Sequence, residues 1–173
     1  MSSKITSVIV ALGLAGAVVL AQGAAPTDPQ IAHIAYTAGT IDIEAAKQAL
    51  QMSKSKDVRA FAEQMVKDHE AVNKQALDLC KKLGVTPADN DTSRSLAAAA
   101  KAKRDDLAKL SGAAFDKAYI ENEVAYHKTV NGALESTLIP SAQNAELKTL
   151  LETGLKIFQG HGQHAEMTAS MVK

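Results

Sequence analysis

Between Asp57 and Leu83 no proline interrupts the chain. Over that stretch Val58, Phe61, Met65, His69, Val72, Ala76, Leu79 and Leu83 recur at three- and four-residue steps. This spacing marks one face of an α-helix, sustained for nearly four heptads. A helix of that length is about 40 Å long. One apolar stripe along it must be covered by other helices.

The four prolines show where those helices are. Pro26 and Pro29 precede a first pattern, from about Gln30 to Met52, with Ile34, Ala38, Ile41, Ala45, Gln48 and Met52 on its stripe. Asp57 offers an N-cap for the second helix, and Gly84 offers its stop. Pro87 lies in a long break. A third helix is predicted from Asp116 to Leu138, striped by Ile120, Val124, His127, Asn131, Leu134 and Leu138. Pro140 marks a short break. A fourth helix is predicted from about Ser141 to Met171, striped by Leu147, Leu151, Gly154, Phe158, His161, Ala165, Thr168 and Val172. Ser93 to Leu110 is rich in Ala and Lys and reads as an outer helical crossover. The fold class expected is therefore all-α: a four-helix bundle of two antiparallel hairpins, with a helical crossover between helices two and three.

Composition narrows the function classes. Of 173 residues 32 are Ala, the best helix former, and only 3% are aromatic. Nineteen basic residues balance nineteen acidic ones. A nucleic-acid partner, which would call for a basic surplus, is thus not expected. The single Cys80 rules out an internal disulfide framework and a thiolate zinc knuckle, and reads as a small buried hydrophobe.

Residues 1–24 read as a secretory signal peptide, ahead of a domain spanning 28–172. Lys4 supplies the positive start, Ile5 to Leu20 the apolar middle, and Ala21, Gly23 and Ala24 the small cleavage region. A retained membrane anchor is the competing reading. The run is short for a span of about 20 residues, and no basic cluster follows it. No stable membrane span is expected after cleavage. The expected compartment is the bacterial periplasm, where the mature chain carries 18 basic and 19 acidic residues, a net charge of −1.

An internal echo singles out two histidines. Phe61 to His69 and Tyr119 to His127 both read aromatic, x, Glu, amide, x, Val, x, x, His. A bundle of two hairpins would set these histidines face to face near mid-height. His69, His127 and His161 occupy apolar stripes on three different helices, in places usually held by Leu. Imidazole suits zinc, copper, iron and nickel, and bundles build metal sites from core side chains on facing helices. Candidate ligands are His69, His127 and His161 with Glu44 on helix one. Asp68, Glu123 and His164 are close enough in sequence to join them. The expected cofactor is a divalent transition metal such as zinc, copper or iron.

Two points count against a simple site. With the last turn centred on Pro140, His127 and His161 would differ in height by roughly 12 Å at 1.5 Å per residue. The di-iron pattern Glu-x-x-His is also missing, because no Glu has His three residues later. Histidines bonded to core neighbours and serving only to lock the bundle are the plain alternative. Nucleotide-binding, serine-hydrolase and zinc-protease motifs are absent, so enzyme activity is not favoured. Met167 and Met171, at helix spacing, read as packing residues.

Three segments resemble a known bacterial family. They are Phe-Ala-Glu-Gln-Met-Val-Lys-Asp-His-Glu-Ala-Val-Asn (61–73), Leu-Ser-Gly-Ala-Ala-Phe-Asp-Lys-Ala-Tyr-Ile-Glu-Asn-Glu-Val-Ala-Tyr-His (110–127) and His-Gly-Gln-His-Ala (161–165). The family is catalogued as domain of unknown function 4142, and the likeness covers about residues 28 to 172. It implies a secreted, ferritin-like helical bundle of the outer membrane or periplasm, and no established activity. The family pattern falls on Glu44, Asp68, His69, Phe115, Asp116, Tyr119, His127 and His161. Ile157 to Gly160 departs from it, where relatives tend to have Leu-Pro ahead of the histidine. Two functions follow as expectations: a periplasmic metal-binding bundle, or a non-catalytic envelope stress or interaction protein with structural histidines. The sequence names no protein partner and leaves a homo-oligomer open.

Overall fold

The computed structural model describes residues 25–172, and all its regular elements are helical. The predicted signal peptide lies outside the described residues. Helix α1 spans Asp28–Met52, α2 Lys56–Leu83, α3 Asp91–Leu107 and α4 Gly112–Ala133. A π-helical turn, Leu134–Leu138, joins α4 to the single turn α5, Ile139–Ser141, and α6 spans Ala145–Met171.

Local chemistry sets most boundaries. The Thr27 N–H donates to Gln30 Oε1 at 3.0 Å, and Pro29 sits in the first turn, where no helical N–H is required. Ser55, rather than Asp57, caps α2, its side chain accepting from the Val58 N–H. Gly84 ends α2 at φ +65°, a conformation that favours glycine. Asn90 caps α3 through the Ser93 N–H. Arg59 Nη1 donates to the carbonyls of Leu50, at 2.6 Å, and Ser53, at 3.2 Å, and so occupies carbonyls that α1 leaves open.

The largest correction concerns Pro140. It does not mark the turn. Helix α4 continues through the π-helical turn, where the Ile139 N–H reaches the Leu134 carbonyl, and closes only after Ser141. The chain reverses at Ala142–Asn144, about three residues later than Pro140 suggested. Measured from that reversal, His127 and His161 lie at nearly equal distances along their helices. The roughly 12 Å offset inferred from Pro140 disappears. Across Ile157–Gly160, where the family pattern is broken, α6 runs on as an uninterrupted helix.

Helix α1 packs along α2, α4 packs along α6, and α2 also meets α6. Helix α3 lies against α1. Two apolar clusters fill the interior. One, near the α1–α2 turn, includes Ala45, Ala49, Val58, Phe61, Met65 and Tyr119. The other, near the α5–α6 turn, includes Ile31, Ile34, Leu134, Leu138, Leu147 and Leu151. Between them α1, α2, α4 and α6 contribute a buried polar layer. Cys80 is buried, as expected. Met167 and Met171 are 58% and 52% exposed, so they do not pack into the core as expected. Among the described residues no helix is long and apolar enough to cross a membrane.

Candidate metal centre

The polar layer brings the three stripe histidines together. Ring centroids of His69 and His127 are 5.9 Å apart, His69 and His161 5.2 Å, and His127 and His161 5.6 Å. One nitrogen from each lies within 4.8 Å of the others. All three residues are at most 3% exposed. The echo between α2 and α4 is realised in space as well. Phe61 and Tyr119 meet edge to face at 6.2 Å, one layer from the paired histidines.

Helix α1 supplies a residue the sequence analysis missed. Asp42 is 1% exposed. Its Oδ2 lies 3.3 Å from His69 Nε2 and 3.4 Å from His127 Nε2. Glu44, the predicted helix-one ligand, is half exposed and pairs with Arg104 on α3 at 2.7 Å. The sequence did carry a signal for Asp42. It follows Ala38 by four residues, precedes Ala45 by three and sits between Ile41 and Ile43, so the helical period places it inward.

The other candidates occupy distinct places. Glu123 is 1% exposed, and its Oε2 is 3.8 Å from His127 Nδ1. Asp42, Glu123 and His127 form a second group whose ligand atoms lie within 4.8 Å of one another. Asp68, at the edge of the layer, holds His161 Nε2 at 3.0 Å. His164 stands outside the trio, with Nδ1 bonded to Gln64 Oε1 at 2.9 Å and its ring edge-on to Phe61.

Hydrogen bonding fixes which nitrogens are free. His127 Nδ1 faces the Glu123 backbone carbonyl at 3.0 Å, an acceptor only, so Nδ1 carries the proton and Nε2 a lone pair. His161 Nε2 faces the Asp68 carboxylate, so its Nδ1 carries the lone pair. A metal-binding imidazole is held in the same way, one nitrogen donating to a carboxylate or carbonyl while the other is turned toward the ion.

The inward atoms are left without partners. Asp42 Oδ1 and Oδ2, His69 Nδ1 and Nε2, His127 Nε2, His161 Nδ1, Glu123 Oε2 and the Tyr119 hydroxyl are buried and make no hydrogen bond among the described residues. Unpaired polar atoms in a core are costly and uncommon, and eight in one layer call for a physical account. A cation supplies one. An ion with tetrahedral ligands at about 2.0–2.1 Å holds their atoms about 3.3 Å apart, the separation of Asp42 Oδ2 from both histidine nitrogens.

Burial dominates the electrostatics of this layer. Burial pushes the Asp42 carboxyl up to about 8. Burial, helped by Asp42, holds Glu123 well above the ordinary carboxyl range. His69 falls to about 2 through burial and the neighbouring His161 and His127. His127 falls to about 4 through burial, against the bond to the Glu123 carbonyl. His161 is lowered by burial and partly restored by Asp68. At neutral pH the imidazoles are neutral, with lone pairs available, and Asp42 is protonated. A divalent ion entering with loss of the Asp42 and Glu123 protons would find its charge matched. These groups could hold a metal ion.

The chain belongs to the family described as Domain of unknown function (DUF4142), whose model matches residues 15–168. No curated protein and no solved structure matches it.

Proposed function

From membership in a family of unknown function, we propose that this protein is a secreted, periplasmic metal-binding protein built as a ferritin-like four-helix bundle. His69, His127 and His161 are its nitrogen ligands. Asp42 is the carboxylate ligand, in the place expected of Glu44. Glu123 balances the charge, and Asp68 orients His161. The reading rests on one observation: unpartnered, fully buried nitrogen and oxygen atoms from four helices converge on one layer. Three imidazoles and a carboxylate, with no thiolate, suit zinc, copper or iron. The proposed role is holding the ion rather than turning over a substrate.

The test is elemental analysis and competitive metal titration of the mature, untagged protein. About one divalent ion per chain is expected. The double variant His69→Ala/His127→Ala should lose it, with helicity checked by circular dichroism. Binding no tighter than millimolar for zinc, copper, iron and nickel would overturn the proposal.

A second reading also has an observation behind it. The bond of His161 to Asp68 already ties α6 to α2, and the bond of His127 to the Glu123 carbonyl fixes its ring on α4. If locking is their whole purpose, a chelator leaves the melting temperature unchanged. A native-state ligand at a thousand times its dissociation constant would instead add about 4 kcal/mol.

A further inference from the structure

The metal layer leaves one large feature unused. Next to it lies a cleft of about 720 Å³, lined by α1, α2, α3, α4 and α6. That volume falls inside the range of about 300–1,000 Å³ typical of small-molecule sites. It exists because small residues face it: Ala35 from α1, Ala76 from α2, Ala99 from α3 and Ala133 from α4. Leu151 and Phe158 on α6 form its far wall. Phe158 also stacks flat on His69, with centroids 4.7 Å apart and planes 9° apart, so one ring separates the cleft from the histidines.

Helix α3 crosses this cleft as a strap held at its two ends. At the first end Ser93 is buried and bonds His33 Nδ1 at 2.9 Å, while Asn90 reaches the Gln30 carbonyl. At the second Leu107 is buried, Gln48 donates to the Arg104 carbonyl and Arg104 pairs with Glu44. Ser93 and Leu107 are the only buried residues of α3. Within its middle, Leu96 to Ala100, only Leu96 and Ala99 face the cleft, side chains too short to fill it.

We propose that this cleft binds one small, uncharged, elongated apolar molecule beneath the α3 strap. The cleft opens to solvent past exposed lining residues such as Ser95, Ala99 and Ser136. An apolar occupant would gain by covering mostly hydrocarbon walls that are otherwise left to water. The lining chemistry chooses the ligand's charge. Among the described residues no Lys, Arg or His lines the cleft, and the one carboxylate that does, Asp91, is at the exposed start of α3. An anionic head group has no partner there, whereas a hydroxyl could bond Thr129 or Thr137, both lining residues. The occupant is therefore a neutral aliphatic or isoprenoid-like chain rather than a fatty acid anion.

The test uses the mature protein without metal, so its outcome is independent of the metal reading. N-phenylnaphthylamine, an uncharged apolar fluorophore, is titrated in, then displaced with decanol or with decanoate. Saturable one-to-one binding is expected, with decanol displacing the probe at least tenfold more effectively than decanoate. Ala35→Leu and Ala133→Leu, which fill the cleft from two helices, should each weaken probe binding at least tenfold while the melting temperature holds or rises. Absence of saturable binding, equal displacement by decanoate, or unchanged binding in both filled variants would overturn the proposal. So would a dimer in sedimentation that the filled variants dissociate, because the cleft would then be covered by a second copy of the chain.

Discussion

Replacing Asp42 with Asn should stabilise the metal-free protein while impairing its metal binding. The magnitude follows from the buried carboxyl. In the folded chain it titrates near 8, against 3.8 for an ordinary Asp, because burial disfavours its charged form. Its folded pKa is raised, so the associated stability is fully present below 3.8 and is lost as pH climbs toward 8. At pH 7 folding must therefore bind a proton against a gap of about three pH units. At ~1.4 kcal/mol per unit, the penalty is about 4 kcal/mol. Asn keeps the shape and carries no charge at any pH, so it escapes this penalty. Urea and thermal melts of the chelated proteins at pH 4 and pH 7 measure the difference. The two should be nearly equal at pH 4. At pH 7 Asp42→Asn should melt higher, by something on the order of 10 °C for a domain of this size. Metal titration of the same variant should show affinity at least a hundredfold weaker, since the anionic ligand is gone. A variant that is less stable at pH 7, or a difference that does not change with pH, would refute the reasoning. It would mean that Asp42 is ionised in the folded, metal-free chain.

Two other substitutions test the supporting structure. Asp68→Asn replaces the acceptor that fixes the His161 tautomer, and metal affinity should fall about 10–100-fold with the melting temperature of the chelated protein little changed; unchanged affinity would remove Asp68 from the site. Gly39→Ala would put a Cβ 2.3 Å from Asn73 Oδ1, where α1 and α2 approach closely and Asn73 bonds the Tyr36 carbonyl and Thr40 hydroxyl. A loss of about 1–3 kcal/mol is expected in urea unfolding, and a wild-type midpoint would show that Asn73 moves aside freely.

How far the site could be read from sequence depends on which rule each residue obeys. His69, His127 and His161 were legible because each interrupts an apolar stripe on its own helix, and helical period alone says that such a residue faces inward. Glu123 was legible as the residue one turn before His127. Asp42 obeyed the same period but lay beside the more conspicuous Glu44, and a stripe two residues wide does not separate neighbours at its edge. Only the contact of α1 with α3 shows that Glu44 turns outward to Arg104. Met167 and Met171 had the spacing of a packed face, but among the described residues they are left more than half exposed at the end of α6.

The sequence by itself determined an all-helical chain with its main helices in place, because apolar period, caps and proline positions are local properties. It also determined that three histidines face the interior. Their common height it did not determine. That depends on where α4 ends, and the helix passes through Pro140 because a π-helical turn precedes it. That turn packs against α6. The free nitrogens, the protonated Asp42 and the cleft beneath α3 likewise belong to the tertiary structure. Each arises only when groups remote in the chain are brought together and water is excluded between them.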